Sequence, residues 1–104
     1  MVEVQDSIPL IVKRFLAAVR LRKRVEKAYL YGSHTSGRET QWSDIDIAVI
    51  SSDFSNDLFD ERVALMRLAA DIDDRIEPHP FTPETFNSSD PLADDIRKSG
   101  VELS

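Results

Sequence analysis

The sequence predicts an α/β domain: a small mixed sheet of three or four strands flanked by helices. Three observations carry that prediction. A long amphipathic stripe opens the chain; two short apolar segments follow it across a polar loop; a second helical stretch then leads to a third extended segment. The 104 residues suit one domain over 1–104 with one core.

Ile8, Ile11, Val12, Phe15, Leu16 and Val19 recur at helical spacing, so a helix is expected over about 7–23. Asp6 or Ser7 can cap it, and Pro9 sits in the first turn, where a missing N–H costs nothing. Ala28-Tyr29-Leu30-Tyr31 reads as a buried strand ending at Gly32. Ser33 to Trp42 is polar, contains Gly37, and reads as a loop or one short helical turn. Ile45, Ile47, Ala48, Val49 and Ile50 make a second strand, rich in β-branched side chains. Leu58, Phe59, Val63, Leu65, Met66, Leu68, Ala69 and Ile72 give a helical pattern over 57–73. A third, short strand runs from Arg75 to Phe81, and Pro78 and Pro80 point to an edge position or to an early end of its pairing. Thr82-Pro83-Glu84 starts a helix, Pro91 to Lys98 forms another, and Val101-Glu102-Leu103 follows Gly100 as a terminal strand. No internal repeat or low-complexity tract is present.

Composition narrows the chemistry. There is no cysteine, which excludes disulfides, thiolate metal sites and a cysteine nucleophile. No apolar run approaches the roughly 20 residues that a membrane span requires. The N-terminus has no basic region followed by an apolar core, so a cytoplasmic location is expected. The net charge of −6 is unevenly spread: residues 1–27 carry +4 and the rest −10. An acidic bulk disfavours nonspecific contact with a nucleic-acid backbone. The basic cluster over 20–27 either meets a phosphate or an acidic partner, or is the solvated end of a helix, which is the simpler reading.

Asp44 and Asp46 stand two residues apart at the head of a strand, an arrangement that directs both carboxylates to one side. Two carboxylates so placed repel each other unless a cation lies between them. Hard oxygen ligands suit Mg²⁺, which takes one or two carboxylates and completes its shell with water and phosphate oxygens. Upstream, Gly32-Ser33 closes the first strand. Glycine admits a close ligand, and a hydroxyl with successive N–H groups can hold phosphate. Neither half is specific alone; together, in this order, they make one site.

The run Gly32-Ser33-x-x-x-Gly37-x-x-x-x-x-Ser43-Asp44-x-Asp46 resembles the signature of the polymerase-β-like nucleotidyltransferases. Within that superfamily it is similar to the minimal nucleotidyltransferases, known as MNT, and the likeness covers most of the chain. The resemblance implies transfer of a nucleoside monophosphate, AMP from ATP above all, to an acceptor hydroxyl, with release of pyrophosphate. It implies that Asp44 and Asp46 bind two Mg²⁺ ions, and that Gly32 and Ser33, with Ser43, hold the triphosphate. The family's third carboxylate, usually Asp on a later strand, corresponds to Glu77, as a metal ligand or as the base for the acceptor hydroxyl. His79 and Glu84 are its rivals. His34 and Arg38 contact phosphate or are exposed loop residues; Trp42 stacks on a base or lies at the core edge; His79 suits a structural role; Tyr29 and Tyr31 belong to a strand and suit the core.

The acceptor follows from the same resemblance. Small-molecule nucleotidyltransferases, such as the aminoglycoside type, carry an additional domain and are the less expected match; the resemblance to the minimal type implies an antitoxin that adds AMP to a separate helical HEPN toxin. A second reading, of another class, is a binding module that neutralises its partner by contact without turnover. An RNA-directed polymerase ranks below both. Exposed strand edges and a small core favour self-association.

Overall fold

The computed structural model of the chain describes residues 7–32 and 44–103. Helix α1 (Ile8–Arg20) begins where Ser7 accepts a hydrogen bond from the Leu10 N–H at 3.4 Å, with proline in its first turn. Its stripe of Ile11, Val12, Phe15, Leu16 and Val19 is buried as the periodicity requires. The helix ends at Arg20, short of the expected 23, because the N–H groups of Arg22 and Lys23 both turn back to the Val19 carbonyl.

Strands β1 (Lys27–Tyr31) and β2 (Ile45–Ile50) pair antiparallel, with Lys27 opposite Ile50 and Tyr31 opposite Asp46. Helix α2 (Leu58–Ala70) is capped by Asp57, which accepts from the Asp60 N–H at 3.0 Å, and leads to β3 (Ile76–Phe81). Strand β3 lies parallel to β2, so β2–α2–β3 is a crossover unit. Two short helices follow: α3 (Pro83–Phe86), opened by a reciprocal Thr82–Thr85 capping box, and α4 (Pro91–Ser99), capped by Asp90. Strand β4 (Val101–Leu103) then returns antiparallel to β1, and the mixed sheet has the order β3-β2-β1-β4.

Alternation divides the sheet into two faces. Ala28, Ile45, Ile47, Val49 and Ile76 pack under α1 and α2 with Phe15, Leu65 and Ala69. Tyr29, Tyr31, Ala48, Ile50 and Phe81 lie on the other face, with Phe86, Ala93 and Ile96 from α3 and α4. The second cover is partial. Phe86 stacks on Tyr29 at 5.2 Å and meets Phe81 edge-on at 5.5 Å, which places it over the Ile50 end of β2 and leaves the Asp46 end to polar groups.

The prolines of β3 are explained by hydrogen-bond direction. The Ile45 N–H donates to the Arg75 carbonyl and the Ser51 N–H to the Phe81 carbonyl, so odd-numbered residues of this strand point their backbone groups at β2. Pro78 and Pro80 fall in the even set, facing the outer edge, where a missing N–H removes no ladder bond.

One part of the helical pattern is corrected. Phe59 is 79% exposed and Met66 is 44% exposed, so these apolar residues of α2 face solvent. The inward stripe runs instead through Leu58, Glu61, Leu65 and Ala69, with Arg62 beside it.

Candidate active site

Gly32 adopts a φ of +79°, a left-handed conformation that glycine takes without penalty. A Cβ built at this position would collide with Oδ2 of Asp46 and come within 3.2 Å of its Cγ. The glycine is therefore required twice over, by its backbone and by the carboxylate it admits. The expected meeting of the Gly32 turn with the aspartate strand is present, and it follows from the Tyr31–Asp46 register.

On the next strand Glu77 is the register partner of Asp46, so Tyr31, Asp46 and Glu77 form one row across β1, β2 and β3 on a single face. Adjacent strands lie about 4.8 Å apart, which puts these side chains within mutual reach. Asp44 is exposed and immediately precedes β2; the residue between it and Asp46, Ile45, is fully buried on the opposite face. Ser33 and Ser43 lie outside the described residues, as do His34, Gly37, Arg38 and Trp42.

The donor chemistry suits a hard divalent cation, because Asp46 and Glu77 are carboxylates in register on adjacent strands, with Asp44 two residues before Asp46. Among the described residues, however, no three Asp, Glu or His side chains close into a preformed metal cage. Glu77 is engaged elsewhere: its Oε2 accepts from Nη2 of Arg62 at 3.3 Å.

Two residues enter the site unannounced by the sequence. Arg62 is one. Tyr31 is the other: its hydroxyl is buried and has no hydrogen-bond partner among the described residues. Burial chiefly, then the Asp46 carboxylate, with a smaller push from Glu77, holds the phenol well above its usual range against the opposing Arg62. Tyr31 had the character of a core residue, and it is also a polar group at the head of the carboxylate row. His79 sits on the same face one rung along, its ring 5.9 Å from that of Tyr31. Burial, then the Arg62 charge, lowers its pKa, while Glu77 acts in the opposite sense.

Topology places one rival, Glu84, and the basic cluster away from the row, whereas His79 stays beside it. Glu84 lies on α3, beyond the Phe81 end of β3, and is exposed, so it cannot join a row built at Asp46. The basic cluster also sits at the wrong end: Lys27 pairs with Ile50, four residues along β2 from Asp46. Lys23 there is 3.8 Å from Glu61 and donates to the Asp53 carbonyl, a helix-end role rather than a triphosphate contact.

A mixed sheet with a glycine turn against an aspartate strand and a glutamate in register alongside is the fold class of the nucleotidyltransferases. The chain belongs to the family described as polymerase beta, nucleotidyltransferase, which matches residues 15–103. Solved structures of toxin–antitoxin proteins share the fold. A toxin–antitoxin crystallised with AMP-PNP superposes with a TM-score of 0.68 at 23% identity, over 94% of this chain and 73% of that one. Two variants of the toxin–antitoxin MntA-HpeT give TM-scores of 0.66 and 0.62 at 22% and 29% identity, over 94% and 96% of this chain and 73% of each neighbour. No curated protein matches the chain in sequence. Among the described residues, no helix is long and apolar enough to cross a membrane.

Proposed function

We propose that the protein is a Mg²⁺-dependent nucleotidyltransferase that moves AMP from ATP onto a hydroxyl of a separate partner protein, as the antitoxin member of a toxin–antitoxin pair in the cytoplasm. The observation that carries this reading is the Gly32 turn, which leaves no room for a side chain, set against Asp46, with Glu77 as the register partner of that aspartate on the next strand. The partner rests on the neighbours, which are toxin–antitoxin proteins, one of them crystallised with AMP-PNP; a HEPN-type helical protein is the partner the resemblance implies.

In this reading Gly32, with Ser33 and Ser43, holds the β- and γ-phosphates, and the close approach at Gly32 gives the triphosphate its path to the carboxylates. Asp44, Asp46 and Glu77 would hold Mg²⁺, which neutralises charge on the phosphates and on the leaving group. The acceptor oxygen forms a bond to the α-phosphorus as the bond from that phosphorus to the α–β bridging oxygen breaks, and pyrophosphate leaves. The acceptor's proton passes to Glu77, or through it to solvent. Asp46 is fixed by its strand and by the Gly32 turn, so the row meets ATP preorganised.

Incubation with α-labelled ATP, Mg²⁺ and the candidate partner tests the proposal. Label is expected on the partner, and Asp46→Asn should abolish it. Complex formation that neutralises the partner without any label would replace the enzyme with a binding module. Neither label nor complex would overturn the proposal.

A further inference from the structure

Arg62 stands where a solvated arginine has no need to be. It follows Leu58 by four residues and precedes Leu65 and Ala69, so it borders the stripe of α2 that packs on the sheet. From there its guanidinium crosses to β3 and meets Glu77 through one nitrogen, at 3.3 Å. Two other acids, one on α2 and one just beyond it, pair with other cations: Glu61 with Lys23 at 3.8 Å and Asp73 with Arg75 at 3.0 Å. The Nε of Arg62 is buried without a hydrogen-bond partner among the described residues. A buried donor left over is costly, and it is satisfied once an acceptor arrives. The contact with Glu77 is not the two-pronged clamp that arginine makes when it binds a carboxylate for stability.

We infer that Arg62 is the displaceable counter-ion of Glu77: it occupies the third carboxylate in the free protein, disfavours a lone divalent cation there, and gives Glu77 up when a phosphate-bearing ligand offers the guanidinium another acceptor. The inference rests on the reading of Asp46 and Glu77 as a cation site. It makes cation and nucleotide binding mutually dependent, with Arg62 as a positioning residue acting through Glu77. A fixed positive charge a few ångströms from the site opposes a divalent ion electrostatically, and its removal is worth about tenfold in cation affinity.

Mn²⁺ alone is the probe, with its binding read by the loss of the free-ion spin-resonance signal and folding checked by circular dichroism. Arg62→Met should bind Mn²⁺ about tenfold more tightly than the native chain, whereas Arg62→Lys, which keeps the charge, should stay within about twofold of it. Adding Glu77→Gln to Arg62→Met should erase the gain. In the native chain ATP should raise Mn²⁺ affinity by more than it does in Arg62→Met. Unchanged or weaker Mn²⁺ binding in Arg62→Met, or an equal gain in Arg62→Lys, would overturn the inference while leaving the cation site intact. If the native chain takes up no Mn²⁺ even with ATP, the site reading falls and the inference falls with it.

Discussion

Gly32 and Asp46 are so close that a single methyl group on the glycine would overlap the aspartate carboxylate. The contact joins a backbone conformation on one strand to a charged side chain on the next, and a substitution at residue 32 therefore tests fold and site together.

Gly32→Ala should lower stability by roughly 1–3 kcal/mol, since it adds left-handed strain to a steric clash. It should also remove ATP binding measured by calorimetry. Urea unfolding supplies the first number. A variant of native stability that binds ATP normally would show that neither constraint operates.

Glu77→Gln separates chemistry from stability. Its ion pair with Arg62 joins side chains that are 34% and 40% exposed, so solvent screens it and its loss should cost less than about 1 kcal/mol. On the proposed mechanism, in which Glu77 serves the reacting centre, transfer of labelled AMP should nonetheless fall by about 10²-fold or more. A rate within about twofold of native would remove Glu77 from the site.

Two phenylalanines report opposite environments. Phe15 is fully buried on the inward face of α1, and Phe15→Ala should cost about 3–5 kcal/mol in chemical denaturation. Phe59 is 79% exposed, and Phe59→Ala should change stability by no more than about 0.5 kcal/mol. Similar costs for both would place Phe59 inside the core after all.

Asp73 and Arg75 give a pH signature. Arg75 donates its backbone N–H and Nε to Asp73 Oδ1 at 2.9 and 3.0 Å, and Nη2 to Oδ2 at 3.0 Å. The side-chain hydrogen bonds from Arg75, above all, hold the Asp73 carboxyl below its ordinary 3.8. A lowered acid pKa stabilises the fold above the unfolded value, and that contribution fades as pH drops through the folded one. Asp73→Asn should therefore be less stable than native at pH 7, and the two stability curves should converge as the pH falls well below the ordinary 3.8. Parallel curves over the whole range would mean that the charge contributes nothing.

Much of this was legible in the sequence because it is written locally. The stripe from Ile8 to Val19, the β-branched run at Ile45–Ile50 and the proline pair at 78 and 80 each state their own structure through periodicity or a missing donor. Glycine at 32 and aspartate at 46 were readable as partners through a family pattern, and the structure supplies their contact. What stayed hidden depends on distant pairing. The register that sets Glu77 beside Asp46, and β4 beside β1, has no local signal. Arg62 has the look of a helix-surface charge and Tyr31 that of a core aromatic, so only their convergence on one row reveals either. Phe59 and Met66 misled for the converse reason: hydrophobicity marked them for burial, yet the helix turned Arg62 toward the sheet and left them outside.

The outer margin of β3 has one more consequence. Pro78 and Pro80 carry no N–H, and the Ile76 N–H is already given to the Asp73 carbonyl, so this margin offers oxygens and no hydrogens along its central residues. An incoming strand needs both kinds of group in alternation. Two copies of the protein brought together at β3 would present acceptor to acceptor, and the sheet cannot be extended from that side. Any growth by strand addition is thereby directed to the three residues of β4, a footing too short for a runaway stack.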